Sequence, residues 1–145
     1  MTGVEFHTGV ADPLDFACRL LRKAARQGVR VQVTAPPAVL AELDRGLWTF
    51  EQCDFVPHVR MPGAPAAVAR RTPVWLTSAA LQDDAPSVLV NLGADVPAEH
   101  AALERVIEIV STQADDAERG RQRWREYVAR GLRPKHHAEP DPAHG

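Results

Sequence analysis

One helix with sharp ends, set between two strand-like runs, restricts this chain more than any other feature. In "ADPLDFACRLLRKAARQG" (11–28), Asp12 is placed to accept hydrogen bonds from the free amides of a first turn. Pro13 suits the first helical position, where its missing N–H would have had no partner in any case. Gly28 offers the left-handed residue that ends a helix. Leu14, Ala17, Cys18, Leu21 and Ala25 recur at three- and four-residue spacing and make one apolar stripe, leaving Arg19, Arg22, Lys23 and Arg26 to water. Before it, "VEFHTG" alternates Val4 and Phe6 with polar neighbours; after it, "VRVQVTA" is a second strand. "PPAVLAELDRGLW" follows as a helix with Val39, Leu40, Leu43 and Leu47 along one side. Strand, helix, strand and helix in that order imply parallel strands joined by right-handed crossovers.

Further strands are expected at "PVWLT", "SVLVNLG" and "RVIEIVS", the second apolar enough for a central position. "PAEHAAL" is a short helix candidate, and a last helix runs over about 112–130. The Pro-, Gly- and Ala-rich "PHVRMPGAPAAVARRT" reads as a loop. The polar "RPKHHAEPDPAHG" reads as a disordered tail. The expectation is a three-layer α/β/α, Rossmann-like domain over residues 1–132, with a largely parallel sheet and a basic C-terminal helix, then a disordered tail over 133–145. Its 145 residues are enough for one core without metals or disulfides. Cys18 and Cys53 form no Cys-x-x-Cys pair, no apolar run approaches the ~20 residues of a membrane span, and no secretory signal opens the chain. A cytoplasmic address and idle or buried thiols are expected, with Cys18 in the core.

Catalytic patterns are sparse. The turn after the first strand, "HTGVADP", fits neither G-x-G-x-x-G nor G-x-x-x-x-G-K-[ST], and Asp12 would occupy the positive helix end that a phosphate needs. None of the six histidines stands in a zinc pattern, so neither a metal nor another cofactor is expected. His7 lies toward the carboxyl end of the first strand, where α/β enzymes place their sites, but no nucleophile or paired carboxylate joins it. Ser78, Ser87 and Ser111 sit in no nucleophile elbow. A small nucleotide- or metabolite-binding enzyme using the strand ends near His7 and Gly93 is the alternative kept open.

Surface carries more information. The net charge is −2, yet residues 119–135 hold seven basic residues and one acid, which leaves −8 for the rest. Within that run Arg121, Trp124 and Arg125 share one helix face, extended by Ala117 and Val128. An ordinary amphipathic helix would pack Trp124 and Val128 on the sheet and solvate the arginines. A docking helix would instead use the guanidinium to hold a carboxylate while an apolar hollow takes an aromatic ring. Direct DNA binding is disfavoured, because the basic and aromatic residues do not interleave over a broad face. The other cluster is "GLWTFEQCDFVPH" (46–58), with three of the chain's eight aromatics: Trp48, Phe50 and Phe55.

These segments resemble the chi subunit of bacterial DNA polymerase III. The resemblance rests on "L-D-x-x-L-W" at 43–48, "F-V-P-H" at 55–58, "R-x-R-W-R-E-Y" at 121–127 and Gly131 after it, in a chain of similar length and element order. It implies a non-catalytic adaptor with a Rossmann-like fold that binds no nucleotide. The implied partners are the psi subunit of the clamp loader and the acidic, Phe-ending C-terminal tail of single-stranded DNA-binding protein. In some bacteria a repair helicase shares the psi surface. No membrane and no strong direct nucleic-acid contact is implied. Position by position, the tail site falls on Val110, Arg121, Trp124 and Arg125, and the psi surface on Trp48 and Phe55. Ala117 stands where family members can have a lysine, and Trp124 where a tyrosine is common. Phe50 is read as local packing.

Overall fold

A computed structural model describes residues 2–48 and 55–139. Its elements, in chain order, are β1 (Gly3–Val10), α1 (Pro13–Arg26), β2 (Val31–Thr34), α2 (Pro37–Trp48), β3 (His58–Met61), α3 (Ala66–Arg71), β4 (Val74–Thr77), β5 (Val88–Asn91), β6 (Arg105–Ser111), α4 (Ala114–Ala129) and β7 (Lys135–Ala138). The seven strands make one sheet in the order β3-β4-β2-β5-β6-β1-β7, and every neighbouring pair is parallel. The fold is the expected three-layer α/β/α arrangement.

Side-chain alternation along the strands builds the two outer layers. Val31, Val33, Val74, Leu76, Val90, Ile107 and Ile109 face α1 and α2, where they meet Ala17, Cys18, Leu21, Leu40, Leu43 and Leu47. Val4, Phe6, Leu89, Val106 and Val110 face the other way and meet Tyr127 and Trp124 of α4. Trp75 Nε1–H donates to the Ala69 carbonyl at 2.7 Å, so α3 lies on the same side as α4. The connections through α1 and α2 step across the sheet in one direction, and those through α3 and α4 step back. Crossovers of a single hand require that division of faces.

The ends of α1 are as expected: the Asp12 carboxylate accepts from the Asp15 amide at 3.1 Å, and Gly28 has φ 73°. Three segments differ from the sequence reading. Residues 57–72, expected to be a loop, contain β3 and α3. β3 is a half-exposed edge strand whose alignment comes from β4, and α3 is a single Ala-rich stretch after Pro65. "PAEHAAL" forms no helix, because its carbonyls are used elsewhere. The one hydroxyl proton of Thr2 is shared between the His100 and Leu103 carbonyls, each 2.8 Å from Oγ1, and Arg130 Nη1 donates to the Pro97 carbonyl at 2.6 Å. The disorder expected from residue 133 does not extend over Lys135–Ala138, which pair with Glu5 to Thr8 of β1 as the last strand. Residues 140–145 of that tail, and Phe50 and Cys53 of the aromatic segment, lie outside the described residues.

Candidate functional site

The carboxyl ends of β1 and β6, the first turns of α4 and the added strand β7 surround an open hollow of about 480 Å³. Phe6 and Val110 line it from the sheet, Ala117, Arg121 and Trp124 from α4, and His136 from β7. Gly120 sets its depth. A Cβ there would lie 2.9 and 3.0 Å from the two methyls of Val110, so only a glycine lets α4 sit this close to β6. Trp124 is half-buried and held edge-on by Phe6, with ring centroids 5.1 Å apart and planes at 61°. Phe6 is fixed in turn by Tyr127, edge-on at 5.9 Å.

Arg121 is exposed and donates through Nε and Nη2 to Glu118 Oε2, at 3.1 and 2.6 Å. Hydrogen bonding from Arg121 holds the Glu118 carboxyl below the usual carboxylate range. Arg125 Nη2 lies 3.7 Å from the other Glu118 oxygen, outside the lining of the hollow. Of the four residues assigned to a tail site, Val110, Arg121 and Trp124 therefore share one cavity, and Arg125 stands beside it. The arrangement offers an apolar floor, an indole edge and a solvent-facing guanidinium, which suits a ligand carrying both a ring and a carboxylate.

The buried face of α4 is not the one its spacing suggested. Val128, expected to extend the Trp124 stripe, is 51% exposed, while Tyr127 is completely buried. Contact between Gly120 and Val110 rotates the helix so that Gly120, Arg123, Trp124 and Tyr127 meet the sheet. Sequence reasoning also missed what Arg123 does. It is only 6% exposed and donates to Glu108 Oε1 at 2.9 Å. Glu108 Oε2 accepts from the Tyr127 hydroxyl at 2.7 Å and from Asn91 Nδ2 at 3.0 Å. Asn91 Oδ1 in turn accepts from Thr34 at 3.0 Å. Burial pushes the Glu108 carboxyl up, opposed by Arg123 and the other donors. Burial, with Glu108 beside it, raises the Tyr127 phenol, so this hydroxyl donates. Only the polar Glu108 inside the apolar run "RVIEIVS" hinted at such a network. The basic run is thus partly structural rather than one free cationic stripe.

A second surface lies at the far edge of the sheet. Trp48 at the end of α2 is 58% exposed and Phe55 41%, their rings 4.9 Å apart. His58 supports the pair from below, 5.2 Å from the Trp48 ring. Its own position is locked by Asp44 Oδ1 on Nε2 at 2.6 Å and the Val56 carbonyl on Nδ1 at 2.7 Å. The Leu43–Trp48 and Phe55–His58 motifs therefore converge on one aromatic knob. This knob sits beside the amino end of β3, and the hollow sits at the carboxyl ends of β6 and β1. Five strand steps of ~4.8 Å separate β3 from β1, or ~24 Å, enough for separate partners.

The crevice over the carboxyl ends of the central strands is lined by Asp12, Glu42, Leu92, Gly93, Asp116 and Arg119, among others. Asp116 accepts the Ser111 amide at 2.7 Å, as Asp12 accepts that of Asp15. The Asp15 amide at the start of α1 is thus taken by the Asp12 carboxylate, and Asp116 in the first turn of α4 puts a second carboxylate beside this crevice, where a nucleotide phosphate would meet like charge. His7 is bonded to Glu139 at 3.1 Å and stacks on His137, centroids 5.0 Å apart. Among the described residues, no three His, Cys, Asp or Glu side chains are placed to hold a metal ion, and no helix is long and apolar enough to cross a membrane.

Residues 1–135 match the protein family described as DNA polymerase III chi subunit, HolC. The chain is 32% identical over 145 residues to the DNA polymerase III subunit chi of Pseudomonas aeruginosa strain PAO1, an alignment covering 97% of this chain and 99% of that protein. The motifs at 43–48, 55–58 and 121–127 all fall within the matched span. This chain belongs to the DNA polymerase III chi subunit family.

Proposed function

We propose that this chain is a non-catalytic cytoplasmic adaptor of the polymerase III clamp-loader assembly. It links psi, docked on Trp48 and Phe55, to the acidic C-terminal tail of single-stranded DNA-binding protein, held in the hollow on α4. The observation that carries this reading is the convergence of Val110, Arg121 and Trp124 on one open cavity. A terminal phenylalanine fits against the indole and Val110, while its carboxylate displaces Glu118 from Arg121. Arg125 adds a rim charge that speeds association and makes binding sensitive to salt. The exposed Trp48–Phe55 pair has the character of an aromatic hot spot and is the surface for psi, or for a repair helicase that shares it.

The test is fluorescence anisotropy with an acidic peptide ending in phenylalanine. Arg121→Ala removes a charge-assisted pair worth about 1.5–3 kcal/mol, so affinity falls by about ten- to a hundredfold while the melting temperature holds. Unchanged affinity at low salt removes the assignment of this site.

A further inference from the structure

The strand β7 does more than extend the sheet: it supplies one wall of the hollow. Register pairs His136 with Phe6 of β1, and its ring stands 6.3 Å from Trp124 at 81°. The strand is fastened from its other face and from its end. His137 stacks on His7, Glu139 bonds His7 at 3.1 Å, and the Glu139 amide donates to the Thr8 carbonyl at 2.9 Å. The His136 ring is therefore held in place before any ligand arrives. Its Nε2 is bonded to the Thr8 hydroxyl. When that hydroxyl donates to Nε2, the ring proton resides on Nδ1, which makes no hydrogen bond among the described residues. The ring is exposed, so this N–H is available to a ligand. Arg121, the cation of the same cavity, already has two donors turned to Glu118.

We infer that His136 is a second contact for the terminal carboxylate of the bound peptide, shared with Arg121, so that β7 completes the recognition site. This rests on the peptide reading above and goes beyond the residues that reading uses. A carboxylate has two oxygens with room for several donors, so one guanidinium does not exhaust it. An aromatic ring packed on Trp124 brings the carboxylate of the same residue between the α4 and β7 walls.

The experiment is a cycle of protein and peptide variants read by anisotropy. The acidic Phe-ending peptide is used as the free acid and as its C-terminal amide, against the full chain, His136→Ala and His136→Gln. Expected is a loss of about five- to tenfold for His136→Ala with the free acid, near-normal binding for His136→Gln, whose amide still donates, and little His136→Ala penalty with the amidated peptide. Equal weakening by both substitutions, or an Ala penalty that survives amidation, assigns the ring to packing and overturns the inference. No effect of either substitution overturns it too, while an Arg121→Ala loss in the same assay leaves the peptide site standing. If the free acid does not bind the unaltered chain, the peptide reading fails and takes this inference with it.

Discussion

Replacing Gly120 with alanine sets two effects of opposite sign against each other. In the middle of α4, alanine is better than glycine by about 1 kcal/mol of backbone propensity. The added Cβ would, however, stand 2.9 Å from Cγ2 and 3.0 Å from Cγ1 of Val110, against an ordinary contact of ~3.5–4.0 Å. Valine is stiff at χ1 and presents both methyls, so rotation does not clear the space, and α4 must move outward by several tenths of an ångström. Overpacking of this kind costs about 1–3 kcal/mol, leaving Gly120→Ala destabilised by about 1 kcal/mol, with a distorted hollow and weaker peptide binding. Removing the methyls first reverses the sign. In a Val110→Ala background, itself less stable by about 2 kcal/mol, the new Cβ enters vacated space and Gly120→Ala stabilises by about 1 kcal/mol. Urea denaturation of the four proteins, followed by circular dichroism, reads the coupling directly. Stabilisation by Gly120→Ala with Val110 intact, or the same change in both backgrounds, refutes the account of how the hollow is formed.

Two further outcomes are expected, the first read by the same denaturation and the second by binding. Arg123→Leu leaves the Glu108 carboxyl buried without its cation and costs about 3–5 kcal/mol at pH 8. Burial already raises Glu108, and losing Arg123 raises it further. The folded state then takes up a proton before the unfolded chain does, so the penalty shrinks as pH falls from 8 toward 5, and a penalty independent of pH contradicts the ionised pair. Trp48→Ala, at an exposed ring, changes stability by less than about 1 kcal/mol, yet it lowers psi affinity by about thirtyfold or more in surface binding while sparing the peptide. Parallel loss of both partners would point to damage of the whole domain.

What was legible in the sequence followed the strength of local signals. Asp12, Pro13 and Gly28 marked α1 because caps act within a turn, and "SVLVNLG" and "RVIEIVS" announced central strands because both faces must be apolar. β7 was missed for the opposite reason. "KHHA" is polar and exposed on both faces, and it is a strand only because β1 offers backbone partners some 130 residues away. "PAEHAAL" had the local preference for a helix and lost it to Thr2 and Arg130, which take its carbonyls from distant positions. At the candidate site, spacing puts Arg121, Trp124 and Arg125 on one face of the helix, and only the resemblance adds Val110. Spacing alone chose Val128 over Tyr127, because the rotation of α4 depends on contact between Gly120 and Val110 that no wheel contains. The contribution of His136 depended on β7 and was hidden with it.

The position of β1 carries a cost during synthesis. Both of its neighbours, β6 and β7, come from the last third of the chain, about a hundred residues or more downstream. At ~5–20 residues per second, the ribosome takes about 5–20 s to make the first of them. Through that interval a segment with Val4 and Phe6 has neither ladder partner nor cover, so the nascent chain is exposed to association with its neighbours until α4 and β6 emerge.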